Sequence, residues 1–418
     1  MRAGHQLSAH PCIIPIVSLH RVMISLRLKT MSVMREVILK ITRYVDKKLK
    51  AVAAGLILLA VAVSTVVSGC GGGQSKPEAE LGSIFKEISA GLSNSSMITI
   101  AAAGDVNFGD GATPTLTSQG PDYPFGNVGG IFKNADLSFV NLECCISSGG
   151  APVGGKEFCF RGPADSAAAL SDGGIKVVSL ANNHSKDYGT TAFLDTMAHL
   201  RESGVAWCGA GNNADEAYSP TVVEARGKKV AFVAFTGVIP DGWPATAQNP
   251  GCATITDRER VARTISEARS KADYVVASFH WGIELATAPN EEQRNLARLA
   301  IDSGADLVIG HHPHVVQGFE LYKNRLIAYS LGNYVFSPPR EISSKTLTVV
   351  ALLGPNGLIQ AKLVPTVISG CRPAIMSGGS AAGWLGTVAG YCSGLDTNVN
   401  IVGERGFING GAASTASK

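Results

Sequence analysis

Leu307-Val308-Ile309-Gly310-His311-His312-Pro313-His314 sets three imidazoles within four residues, directly behind a short apolar run. A run of that length and branched character fits a buried strand. Three histidines just past such a strand seldom serve packing, and imidazole is a common ligand of transition ions. The same arrangement recurs on both sides. Residues 98–103 run into Gly104-Asp105-Val106-Asn107, and 137–140 into Asn141-Leu142-Glu143. Residues 177–180 run into Ala181-Asn182-Asn183-His184, with Asp187 close behind. Residues 274–279 lead to His280-Trp281-Gly282-Ile283-Glu284, and 326–329 to Ser330-Leu331-Gly332-Asn333. Each motif alone has a plainer reading. Gly-Asp is a common turn, a Glu after a strand usually faces water, Asn-Asn-His can cap a loop through local bonds, and His280 beside Trp281 can be a core histidine. Six successive strand ends delivering Asp, Glu, Asn and His share no such reading. In open α/β sheets, ligands bind in the crevice beyond the carboxyl ends of the strands.

Helical patterns separate several of these runs. Phe193, Met197 and Leu200 share one face, as do Val261, Ile265 and Ala268, and Leu296, Leu299 and Ala300. Strand-helix alternation of this kind argues an α/β domain. Apolar runs at 346–353 and 358–365 flank Gly354-Pro355-Asn356-Gly357, and Asn-Gly between such runs is a hairpin signal.

Asp105, Glu143, Asn183, His280, His312 and His314 offer more donors than one ion uses, since a single zinc takes three or four protein ligands. A carboxylate with two oxygens can bridge neighbouring cations, as two-metal hydrolases require. Two divalent ions are therefore expected. The mix of imidazole, carboxylate and amide suits Mn, Fe or Zn rather than Ca²⁺, which prefers an all-oxygen shell. His184 is then left to protonate a leaving group, because imidazole titrates near working pH. His311 is expected to point elsewhere, since neighbours alternate sides in an extended His-Pro-His stretch. Asn107, Asn141, Asn182, Asp187, Glu284, His311 and Asn333 lie in the same segments and are read as supports for the ligands or contacts to substrate.

These segments, with Asp187-Tyr188-Gly189 and Tyr329-Ser330-Leu331-Gly332-Asn333-Tyr334-Val335-Phe336, resemble the motif series of the CapA-like poly-γ-glutamate capsule-synthesis family, PGA_cap. They stand in the family's order and cover about residues 97 to 365. That family is similar to calcineurin-like metallophosphoesterases. The resemblance implies an α/β chain folded as a four-layer αββα sandwich, metallo-dependent phosphatase-like, with a di-metal centre between the sheets. It further implies that Asp105 and His314 serve the first ion, that Asn183, His280 and His312 serve the second, that Glu143 bridges them and that His184 is the general acid. Two positions depart from the phosphoesterase pattern: Asn107 stands where those enzymes often have His, and Glu143 where they usually have Asp. The Cys144-Cys145 pair beside Glu143 has no reading from the sequence.

The N-terminal end reads as an export signal. Lys47, Lys48 and Lys50 precede an uncharged stretch over 51–67, which ends in Val67-Ser68-Gly69-Cys70. That stretch is short for a spanning helix and long for a signal-peptide core. Gly69-Cys70 resembles a bacterial lipobox, although Val67 replaces the more usual Leu. A lipid anchor on Cys70 and an uncleaved N-terminal anchor helix both place the following residues on the outer face of the cell membrane. Met31 and Met34 are alternative starts. The chain thus divides into a leader at 1–70, a tether at 71–96, the metallophosphatase-like domain at 97–370 and a Gly/Ser/Ala-rich tail at 371–418 whose last dozen residues are expected to be disordered. With a formal net charge of +3, partly from the N-terminus, nothing calls for nucleic acid as a partner. Seven cysteines follow Cys12 and Cys70, an odd number, so at least one is expected as a thiol.

Three functions remain open. One is metal-assisted hydrolysis or transfer on a phosphoester, or on an amide of an anionic surface polymer such as poly-γ-glutamate. A second is a non-catalytic export or anchoring subunit of a membrane-bound capsule synthase, binding polymer carboxylates through metal. A third is a metal-dependent phosphodiesterase or phosphatase unrelated to capsule. A phosphatase-like fold does not choose among them.

Overall fold

A computed structural model of the chain describes residues 96–109, 111–338 and 340–411. The leader, the tether apart from Ser96, and residues 412–418 lie outside the described residues. Four parallel strands open the domain: β1 (Ile98–Val106), β2 (Leu137–Leu142), β3 (Val177–Ser179) and β4 (Ala206–Cys208). The chain then starts a second sheet with β5 (Thr221–Ala225), β6 (Lys228–Thr236), β7 (Tyr274–His280), β8 (Leu307–His311), β9 (Phe319–Tyr322) and β10 (Arg325–Ala328). It returns to the first sheet with β11 (Asn333–Val335), which lies parallel to the end of β1. The hairpin of β12 (Lys345–Gly354) and β13 (Gly357–Ser369) then pairs antiparallel with β1. Among the described residues the first sheet has ten strands and the second six, with β6, β7, β8 and β10 parallel at its centre.

Period-2 alternation explains the layering. From β1, Ile98, Ile100 and Ala102 join Val230, Phe232 and Ala234 of β6 in a core between the sheets. Phe139 and Phe232 stack across it at 5.7 Å. The alternate residues Ala101, Ala103 and Val106 face the opposite way, beneath α1 (Ala112–Gln119), α2 (Gly129–Asn134), α3 (Ser166–Asp172) and α4 (Gly189–Glu202). Ala231, Val233 and Phe235 likewise face α5 (Arg258–Lys271) and α6 (Glu291–Asp302). The result is an α/β chain in four layers, αββα. The later helices begin where side chains satisfy their open N–H groups. Asp257 accepts from Arg260 N–H at 2.9 Å, and Asn290 and Gln293 cap each other reciprocally.

Residues 371–411 differ from the expected tail. They form β14 (Arg372–Ile375), α7 (Gly378–Ser393), β15 (Asn400–Val402) and β16 (Arg405–Asn409), which extend the first sheet. The periodicity there is diluted by glycines that a Cβ would leave in open space, Gly379, Gly383, Gly386 and Gly390. Yet Ala381, Trp384, Leu385, Val388 and Cys392 form a buried stripe at helical spacing. Among the described residues, no helix is long and apolar enough to cross a membrane.

Candidate metal centre

The strand ends converge because pairing aligns them. Asp105 lies opposite Asn141 of β2 on one side and Asn333 of β11 on the other, and His280 lies opposite His311. Gly104 is needed for the approach: a Cβ there would meet the Gly332 carbonyl oxygen at 1.8 Å. Asp105 N–H donates to that same carbonyl at 2.9 Å, so the backbone fixes the carboxylate. Glu143 is anchored likewise, its N–H donating to Val106 O at 2.8 Å.

Both carboxylates are fully buried. Asn141 sits between them, its Nδ2 donating to Asp105 Oδ1 at 3.0 Å and to Glu143 Oε2 at 3.2 Å. Asn182 Nδ2 in turn donates to Asn141 Oδ1 at 3.0 Å and holds that amide in place. Burial pushes the Asp105 carboxyl up, but the His311 bond and charge, with those of His314 and Asn141, outweigh it and hold the group below its usual range. Burial and the Asp105 charge drive Glu143 well above its usual range. Each ionised carboxylate taken from water costs several kcal/mol unless it is compensated. Glu143 is not.

Four imidazoles surround this pair. His314 and Asn333 are joined through Nδ1 and Oδ1 at 2.9 Å, which leaves His314 Nε2 3.6 Å from Glu143 Oε1. His280 Nε2 lies 2.8 Å from Asn183 Oδ1 and 3.8 Å from Glu143 Oε1. His312 has its ring 4.8 Å from that of His280 and 5.9 Å from that of His314. The stretch is not extended: His312 has φ +95° and His314 φ +57°, a sparsely populated region that costs of order 1–3 kcal/mol per residue. This strained backbone, rather than simple alternation, brings His312 and His314 to one cluster. His311 lies on the core side, its Nδ1 3.1 Å from Asp105 Oδ1 and its ring beside Phe139.

The donor set fits a cation. Donor atoms of Glu143, His280 and His312 lie within 4.8 Å of one another, as do those of Asp105, Glu143 and His314, and those of Glu284, His312 and His314. Glu143 Oε1 and His312 Nδ1 are buried polar atoms with no hydrogen-bond partner, which a folded protein rarely tolerates. Burial, reinforced by the neighbouring imidazoles, keeps His280 well below the usual histidine range, and burial with His314 lowers His312 to about 4. Neutral imidazoles are what metal binding needs. Asn107 does not join them: its Oδ1 accepts from Gly109 N–H at 2.7 Å and is used in the turn.

Beside this cluster, His184 Nδ1 is 2.6 Å from Asp187 Oδ2 and its ring stacks on Phe160 at 4.3 Å. Burial holds its pKa down against the pull of Asp187. Lys156 Nζ contacts Asp187 Oδ1 and lies 3.0 Å from His184 Nδ1. Sequence reasoning missed Lys156 and Phe160, which come from a glycine-rich loop without periodicity. The cysteine pair now has a structural account. Cys144 Sγ accepts from Phe108 N–H at 3.4 Å, and Cys145 Sγ donates to Ser185 O at 3.2 Å, so the pair ties the Glu143 turn to two neighbouring loops. Burial pushes both thiols up to about 12. Cys144, Cys145, Cys159, Cys208, Cys252 and Cys392 are thiols, not disulfides.

The profile of the bacterial capsule synthesis protein PGA_cap matches residues 99–338, the span that holds every candidate ligand and His184. The capsule biosynthesis protein CapA of Bacillus anthracis is 30% identical over 282 residues, 66% of this chain and 69% of that one. The PGA biosynthesis protein CapA of Bacillus subtilis (strain 168) is 32% identical over 280 residues, 66% of this chain and 73% of that one. The chain therefore belongs to the bacterial capsule synthesis family PGA_cap.

Proposed function

We propose that this protein acts on the outer face of the cell membrane in the synthesis, export or anchoring of poly-γ-glutamate or a related anionic polymer, through metal-dependent hydrolysis or transfer. The observation that carries this reading is Glu143 Oε1, buried without a partner between His280 and His314. Asp105 and His314 would hold one divalent ion, and Asn183, His280 and His312 a second, with Glu143 serving both. Manganese, iron or zinc suits imidazole with carboxylate better than calcium does. Such ions supply Lewis-acid polarisation of a phosphoryl or acyl oxygen and a water-derived nucleophile near neutral pH. The chain's own groups do the rest. Asp187 Oδ2 would hold a proton on His184 Nδ1, 2.6 Å away, leaving Nε2 to carry a proton to the leaving group. An anionic substrate beside the ring favours its charged form, which burial otherwise opposes. Glu284, exposed beside His312 and His314, is placed to meet what enters. Elemental analysis of reloaded protein and assay against a generic phosphodiester test the reading together. About two equivalents of Mn, Fe or Zn with turnover support it. Metal without turnover on a phosphodiester or on the polymer leaves a binding subunit of a capsule synthase, and no metal defeats it.

The location rests on the Lys47, Lys48 and Lys50 cluster and on Gly69-Cys70. Wild-type protein is expected to take up labelled palmitate in cells and Cys70→Ala to lose the label while staying exported. Retained label on Cys70→Ala would remove the lipobox reading, and protease-resistant cytosolic protein would remove export itself.

A further inference from the structure

Residues 149–160 cross over the turn that carries Asn183 and His184, and are bound to it at several points. Gly150, at φ +76°, passes so near the Tyr188 carbonyl that a Cβ would meet its oxygen at 2.1 Å. Val153 N–H donates to Asp187 O at 2.9 Å, and Phe160 N–H to Asp187 Oδ2 at 2.6 Å. Between these points Lys156 reaches inward. Its Nζ donates to the Asn183 carbonyl and to Asp187 Oδ1, lies 3.0 Å from His184 Nδ1, and lies 5.1 Å from the Trp243 ring centroid. Only 19% of the lysine side chain and none of the Asp187 side chain is exposed. A solvated lysine does not give up this much water without compensation, and here it gains two acceptors on one turn.

We propose that Lys156 is the positioning residue of His184: its ammonium clasps residues 149–160 onto the 183–187 turn, and so fixes the ring with Nδ1 on Asp187. The charge geometry explains the arrangement. Asp187 Oδ2 serves His184 and the Phe160 amide, while Oδ1 is left to Lys156. Without the ammonium, Oδ1 is free to rotate toward the imidazole or toward water, and the ring loses its single orientation. The Phe160 ring, stacked on His184, lifts away with the same segment. Lys156 also backs Asn183 through its carbonyl, not through the amide that faces His280. The clasp therefore bears directly on the acid, and on the ion set only through the Asn183 backbone and the charge that Glu143 feels. The catalytic half of this assignment rests on the hydrolase reading above; the clasp itself does not.

The test uses the whole chain loaded with Mn²⁺, as wild type, Lys156→Met and Lys156→Arg. Cys159 gives a readout that needs no activity, because it lies in the clasp and is partly exposed, whereas Cys144, Cys145, Cys208, Cys252 and Cys392 are buried. Lys156→Met is expected to alkylate at Cys159 several-fold faster, by peptide mass spectrometry, with metal content unchanged. Its kcat on glycerophosphocholine, a phosphodiester whose alkoxide leaving group needs a proton, is expected to fall about 10- to 100-fold at unchanged KM, as misplacement of a reacting group does. Lys156→Arg, which keeps the charge, should restore most of both. An unchanged alkylation rate overturns the clasp. Loss of metal, or a raised KM at unchanged kcat, overturns the positioning role in favour of ion support or substrate anchoring. If the wild type itself shows no turnover, the hydrolase reading falls and the Cys159 rate alone judges the clasp.

Discussion

Glu143→Gln should strip the centre of both ions while leaving the metal-free fold at least as stable as wild type. The carboxylate is the one group shared by the two principal ligand clusters, with His280 and His312 on one side and Asp105 and His314 on the other. An amide keeps the shape and keeps the contact with Asn141, but it removes the charge that two nearby cations would share. Loss of a residue that merely orients a ligand typically costs 10- to 100-fold in affinity, so loss of the shared ligand should cost at least about 100-fold for each ion. The stability of the metal-free protein should move the other way. Burial and the Asp105 charge already oppose ionisation of Glu143, so the metal-free carboxyl must either take up a proton or stay charged at a cost, and Gln faces neither demand. Titration with Mn²⁺ followed by elemental analysis, with melting curves before and after chelation, reads both effects. Wild type should lose stability on chelation and Glu143→Gln should be nearly indifferent to it. A variant that still holds two equivalents at wild-type affinity would remove Glu143 from the site.

Sequence patterning made the strand ends legible and much of their surroundings not. Asp105, Glu143, Asn183, His280, His312 and His314 each follow a buried apolar run, and parallel pairing then puts them at one edge of the sheets. Alternation in an extended stretch prefers His312 and His314 to His311, but the backbone here does not follow it. Positive φ at both residues is set by tertiary contacts that no local pattern carries. Asn141 and Asn333 stood in the right segments, yet their roles as a spacer between carboxylates and as a partner of His314 Nδ1 need the third dimension. Asn107 stood in one as well and spends its side chain on a turn. Lys156 and Phe160 were invisible because a glycine-rich crossing segment has no period. The glycine-rich α7 failed for the opposite reason, since a real stripe was hidden by composition.

His184→Ala should spare the metal and cost most of the turnover, and the size of the loss should depend on the leaving group. His184 belongs to none of the clusters that could share an ion. Its backbone N–H, which alanine retains, donates to Asn182 Oδ1 at 2.9 Å, and the Asn183 carbonyl keeps Lys156. Asp187 likewise keeps Lys156 and the Phe160 amide, so the turn should hold its shape and Asn183 should stay beside His280. What disappears is the proton carrier. General acid catalysis contributes typically 10²- to 10⁴-fold, so kcat on a poorly leaving alkoxide should fall by about that much at unchanged metal content. An aryl ester with an acidic phenol leaves without protonation, and the same variant should lose far less on it. Comparing the two substrates separates a missing acid from a damaged site. A damaged site lowers both rates alike, whereas a missing acid lowers the alkyl ester's rate selectively. Equal losses on both substrates, with metal intact, would take the proton-donor role from His184.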